Sequence, residues 1–168
     1  MGTGSLDNLR GLTGIVAIDR AAMGETVRAS LIACNMQVPL IPESIGKALV
    51  ACETHQPDVL FISFLFANRP ALELMRAVRA AEGGVGRLNP KLPIIISSHK
   101  PQPKQVKACI AAGAHEFLAL PTSHAALTKL VQRAIDPGRG WILEEGYSGL
   151  DRRRQTLETL PFPDRRQT

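Results

Sequence analysis

Pro57-Asp58-Val59-Leu60-Phe61-Ile62-Ser63 is the stretch that decides the fold. Pro57 stops the helix before it. An unbroken apolar run follows and ends on a small hydroxyl side chain, which is how a strand buried on both faces reads. In an open parallel sheet the chemistry gathers at the carboxyl ends of such strands. Ser63 therefore stands where a functional side chain is expected, and its neighbours become the question.

Working outward, Gly14-Ile15-Val16-Ala17-Ile18 reads as a buried strand ending at Asp19-Arg20, and Met23, Val27, Leu31 and Cys34 then share one helical face. A strand near Val38 to Ile41 carries Pro39, which removes a ladder donor and sends it to a sheet edge. Ser44 is a candidate cap for a helix whose inner face is Ile45, Ala48, Leu49 and Cys52. Ala71, Leu74, Met75 and Val78 mark a third helix. Gly83-Gly84-Val85-Gly86 follows a helix and leads to a strand, the wrong context for a phosphate cradle, and reads as a plain loop. Leu92 to Ile96 is a buried strand ending at Ser97-Ser98. Val106, Cys109 and Ile110 line a helix stopped by Gly113. Phe117 to Leu120 is the last strand, ended by Pro121, and Ser123 caps a helix with Leu127, Leu130, Val131 and Ala134 inward.

Five strands alternating with five helices predict an α/β fold, a flavodoxin-like (βα)5 doubly wound parallel sheet of order 2-1-3-4-5. The predicted division is a flexible leader at 1–13, a domain at 14–136, and an irregular Arg-rich tail at 137–168. Four strand ends then place Asp19-Arg20, Ser63, Ser98 and Leu120 around one crevice.

Composition narrows the function classes. The 168 residues suffice for one domain and a tail. A formal charge of +5 is too dispersed to argue for nucleic acid. The three cysteines, Cys34, Cys52 and Cys109, are far apart and fall on apolar helix faces, as reduced core thiols would in a cytoplasmic protein. No apolar run reaches membrane-spanning length, and the N-terminus lacks a signal-peptide core. His55, His99, His115 and His124 show no metal-ligand spacing and read as scattered surface residues, none of them near Ser63.

In their order and spacing, Ile15-Val16-Ala17-Ile18-Asp19, Pro57-Asp58-Val59-Leu60, Leu72-Glu73-Leu74-Met75-Arg76, Pro93-Ile94-Ile95-Ile96, Ala112-Gly113-Ala114 and Phe117-Leu118 before Pro121 resemble the response-regulator receiver domain of two-component signalling. The resemblance implies an acidic pair holding magnesium, but only Asp19 is acidic and Arg20 stands at the second position. It implies a phosphoacceptor aspartate, and the residue is Ser63. It implies a hydroxyl residue at Ser98, which is present, and a lysine before the final proline, which is Leu120. Ala71 replaces a usual glycine, and Phe117 takes the switch-aromatic position.

These departures predict a degenerate pseudo-receiver. Arg20 is expected to replace the metal as a cation paired with Asp19. A serine without a base is a poor nucleophile, so no enzyme and no cofactor are expected. Phe64-Leu65-Phe66 either packs beneath its loop or forms an apolar contact surface. The tail is either solvated and disordered or docked through Trp141 and Phe162. The expected activity is that of a stand-alone, cytoplasmic signalling protein working by protein contact with a histidine kinase, a phosphotransfer protein, another regulator or itself, away from membranes and nucleic acid. The alternatives are a small-ligand sensor using the altered crevice and a true phosphoacceptor at Ser63 or Ser98.

Overall fold

In a computed structural model, the described residues are 9–80 and 88–136, with the backbone alone of 141–144 and 147–150. In chain order these form β1 (Gly14–Ala17), α1 (Ala21–Ala33), α2 (Ile45–His55), β2 (Val59–Ser63), β3 (Leu65–Phe66), β4 (Arg69–Pro70), α3 (Ala71–Arg79), β5 (Ile94–Ser98), α4 (Pro103–Ala111), β6 (Glu116–Ala119), α5 (His124–Ala134), β7 (Trp141–Glu144) and β8 (Tyr147–Leu150). The main sheet runs β1-β2-β5-β6, and all of its pairs are parallel.

Alternation along the strands splits the core in two. Ile15, Leu60, Ile62, Ile94, Ile96 and Phe117 face one side, with α2, α3 and α4 packed on it. Val16, Phe61, Ile95, Leu118 and Leu120 face the other, under α1 and α5. The apolar run that decides the fold is fully buried from Val59 to Ile62. Each such side chain contributes about 1.5–3 kcal/mol by leaving water. The expected caps form: Ser44 Oγ accepts from Lys47 N, and Ser123 Oγ from Ala126 N. Gly113 ends α4 with φ +100°, a conformation that a side chain would strain.

The structure departs from the sequence reading in several places. The expected edge strand at Val38–Ile41 does not form. Its place beside β1 is held by a single parallel bridge, Thr13 to Gln37, because Pro39 and Pro42 remove the donors a longer ladder needs. The folded region starts before Gly14: Leu9 is fully buried, Gln37 N donates to Leu12 O, and Thr13 N to Asp58 Oδ2. The tail is not irregular throughout, since β7 and β8 form a two-stranded antiparallel sheet. The side chains of Trp141 and Phe162, the glycine-rich loop, and residues 1–8 lie outside the described residues.

His115 is not a surface histidine. It is 3% exposed and accepts from Arg79 at the amino end of the sheet. Arg79 Nη1 also donates to Pro90 O and Leu92 O, and Nη2 to Gly113 O. One buried guanidinium thus ties the end of α3 to the approach to β5 and the turn after α4. Arg79→Met should lower unfolding stability by about 3 kcal/mol, because three buried carbonyls lose a charged donor. Urea denaturation measures this, and a loss within error would show that the clamp is dispensable.

The cysteines are all reduced and buried, as expected. Burial pushes the Cys52 and Cys109 thiols from 9.0 up to about 12, with Glu53 adding to the rise at Cys52. The unfolded chain releases these protons near the ordinary value, while the folded chain holds them. Their contribution is therefore constant below pH 9.0 and declines from there to about 12. Denaturation midpoints should fall across that window, and less steeply in Cys52→Ala/Cys109→Ala.

Candidate functional site

The carboxyl ends of β1, β2 and β5 open into a cleft of about 360 Å³, lined by Asp19, Arg20, Ser63, Ser97, Ser98, His99, Lys100, Gln105 and Leu120 among others. Parallel strands in register bring these together: Ser63 lies opposite Ser97, and Ser98 opposite Ala119. All five positions expected around the crevice are therefore in its lining. Phe117 is not; it is 7% exposed and belongs to the core.

Asp19 and Arg20 do not pair. Asp19 Oδ1 accepts from Ala67 N at 2.9 Å, across the cleft mouth. Ala67 and Asn68 are the two turn residues between β3 and β4, and both have positive φ, at 51° and 61°. Such a turn suits the twist of a tight hairpin but strains non-glycine residues, so an anchoring carboxylate has a structural use here. Arg20 turns instead to His99, with its Nη2 3.0 Å from the ring Nε2. A guanidinium can only donate, so Nε2 is the acceptor and the ring proton sits on Nδ1.

Ser63 Oγ accepts from the Asp19 amide at 2.9 Å. Ser98 Oγ accepts from Lys100 N at 3.3 Å. Ser97, 1% exposed, has no partner for its hydroxyl among the described residues. One carboxylate thus stands against two basic side chains, Arg20 and Lys100, and the cleft is net positive. Leu120, 7% exposed, presents only hydrocarbon to it.

The apolar trio after Ser63 divides. Phe66 is 3% exposed and in the core; Phe64 is half-buried, packs on the core and lines the cleft; Leu65 stands 56% exposed on the cleft rim. Sequence reasoning missed His99 and Lys100. The signal was available, because Ser97-Ser98-His99-Lys100 runs straight out of the carboxyl end of a buried strand.

Magnesium asks for several oxygens, preferably carboxylate, in a near-octahedral set. Asp19 is the lone carboxylate in the lining, one of its oxygens is bonded to Ala67, and a guanidinium is next in sequence. Among the described residues no three His, Cys, Asp or Glu side chains gather as a metal group would require. The donor set does not fit the ion.

No protein-family model matches the sequence, and no curated protein matches it. Solved structures do. A proposed response regulator from Chloroflexus aurantiacus J-10-fl superposes with a TM-score of 0.67 at 22% identity, over 75% of this chain and 98% of that one. The receiver domain of a sensor histidine kinase from Pseudomonas aeruginosa PAO1, which coordinates magnesium in its active-site cleft, gives 0.63 at 22% identity, over 74% and 98%. The chemotaxis response regulator CheY4 of Vibrio cholerae gives 0.61 at 20%, over 74% and 98%. The chain has the receiver fold.

Because Asp19 holds a hairpin, its substitutions should sort by shape and not by charge. Asp19→Asn keeps the acceptor and should be near neutral in thermal unfolding. Asp19→Ala should cost about 1 kcal/mol and loosen residues 64–70, read by amide exchange. Equal loss in both variants would mean that the charge, not the hydrogen bond, matters.

Proposed function

We propose that this chain is a receiver-like signalling module that neither takes up phosphate nor binds magnesium, and that works by protein contact. The observation that carries the reading is the commitment of Asp19 to Ala67 in a cleft where Arg20, Ser63 and Leu120 occupy the positions at which receivers place an acid, an aspartate and a lysine. Phosphoryl transfer depends on positioning and on stabilising charge on the phosphoryl oxygens. Leu120 offers nothing toward that, and no metal would stand in for it.

A serine phosphoacceptor meets a second obstacle. Ser63 would need a base. His99 lines the same cleft, but its Nε2 lone pair is taken by Arg20 and its Nδ1 carries the proton. It has no free acceptor to receive a proton from Ser63, which argues against an enzyme or a seryl phosphoacceptor.

Contact with a histidine kinase, a phosphotransfer protein, another regulator or a second copy is what the receiver resemblance implies, and the face made by α4, β6 and α5 is where it implies the contact. Among the described residues no helix is long and apolar enough to cross a membrane.

Incubation with acetyl phosphate and magnesium should leave the intact mass unchanged, and Ser63→Asp alone should not alter that. The triple variant Arg20→Asp/Ser63→Asp/Leu120→Lys should label measurably, because it restores the metal carboxylate, the acceptor and the cation together. A magnesium-dependent phosphoryl gain on the unaltered chain would overturn the proposal.

A further inference from the structure

We infer that the cleft at the carboxyl ends of β1, β2 and β5 is a reversible binding site for a small phosphate-bearing molecule. The inference rests on the reading that this cleft does not carry out phosphotransfer. It starts from an imbalance of donors over acceptors. Arg20 and Lys100 bring positive charge into the lining, against the single carboxylate of Asp19. One Asp19 oxygen is already taken by a hydrogen bond from Ala67 N.

The hydroxyls add to the imbalance. Ser63 Oγ and Ser98 Oγ each accept a backbone N–H, which leaves their own hydrogens to donate. Ser97 is the telling residue: it lines the cleft, is 1% exposed, and its Oγ has no partner among the described residues. A buried hydroxyl without a protein partner keeps its hydrogen for a group that enters the cleft. The flanking helices have the same polarity. Arg20 is the N-cap of α1 and Gln105 lies in the first turn of α4; neither helix has a side-chain cap or an acidic residue in its first turn. Their free amides and dipoles add positive potential.

Chemical class follows from this. A phosphate presents up to three acceptor oxygens in a tetrahedron and a charge near −2, matching donors that converge from β1, β2 and β5. A carboxylate presents two oxygens in a plane and would leave donors unmet. The cleft, at about 360 Å³, is far roomier than one phosphate group needs and is of the size that small organic ligands use. Gln105 Oε1, unpartnered in the lining, offers an acceptor to a ligand hydroxyl. Arg20 keeps spare donors while bonded to His99, since a guanidinium has five N–H groups.

The test uses the full chain, uniformly labelled with nitrogen-15, titrated with glycerol 3-phosphate, inorganic phosphate and acetate. Saturable amide shifts at Ser63, Ser97 and His99 are expected with both phosphates, reversed by dialysis and with no change in intact mass. Arg20→Gln should weaken them about tenfold or more, and Ser97→Ala severalfold, with the unliganded spectra otherwise preserved. Tighter binding of glycerol 3-phosphate identifies an ester as the class of ligand, and equal binding identifies free phosphate. Shifts confined to the arginine-rich residues 152–166, equal response to acetate, or indifference to Arg20→Gln would each overturn the inference. A covalent phosphoryl gain from acetyl phosphate would sink only the proposed function, because the unreactive ester still reports on the cleft.

Discussion

A parallel sheet covered on both faces has nowhere to put polar side chains except at the ends of its strands. Here Ile15, Leu60, Phe61, Ile62, Ile94, Ile95 and Ile96 are all fully buried, and two polar ends remain. Their polar groups differ. At the amino end, beside a cleft of about 350 Å³ lined by Leu12, Pro57, Asp58, Asn89, Pro93 and Ile135, Arg79 donates to three carbonyls and the His115 ring. The carboxyl end is open and holds hydroxyls with hydrogens to spare and a net positive lining. A buried cation is tolerable only when it is compensated, and the bonds of Arg79 Nη1 and Nη2 do that, so Arg79 belongs to the scaffold. The unmet groups around Ser97 belong to whatever the cleft does.

Asp19 has a structural task at the end of β1. It follows β1, so its carboxylate stands at the carboxyl end of the sheet. The loop after β2 is a hairpin, and its turn at Ala67 and Asn68 sits in the left-handed region. Strain of that kind costs on the order of 1–3 kcal/mol per residue and persists only where neighbours hold it. The carboxylate is such a neighbour. With Arg20 following, the electrostatics run opposite to those of a cation site, and Lys100 reinforces the change.

The fold was largely legible because its signal is collective. Apolar strands separated by helical periodicity admit few topologies, and misplacing one edge strand does not alter the rest. That strand failed locally: Pro39 demotes it to the edge, and Pro39 with Pro42 also denies it a ladder. The crevice positions were legible for the same reason, since strand ends are fixed by the runs before them. Side-chain partners were not. Arg20 is long enough to reach either Asp19 or His99, and the choice depends on the hairpin having already taken Asp19, a long-range contact between residues 19 and 67. Phe66 reads as a loop residue, but β3 turns it into the core while Leu65 faces out, a period-two outcome hidden in a stretch only two residues long. His115 looks exposed between a glycine turn and a strand until Arg79, thirty-six positions earlier, is placed against it.

Any coupling between the cleft and a contact face has few routes. The hairpin is pinned through Asp19, and Phe117 is 7% exposed in packed surroundings, so it has no room to move without opening the core. What remains is the segment from Ser98 to Gln102. Its ties to the cleft are the Arg20–His99 hydrogen bond and the Lys100 N–H on Ser98 Oγ, both exposed, and it leads directly into α4. An occupant alters an outer face only as far as it favours one arrangement of that segment over another. An anion drawn to Lys100 and Arg20 together would do so, by fixing the segment against the start of α1. The helix that follows would be the first element to register it, and α4 lies on the face where the receiver resemblance places protein contact.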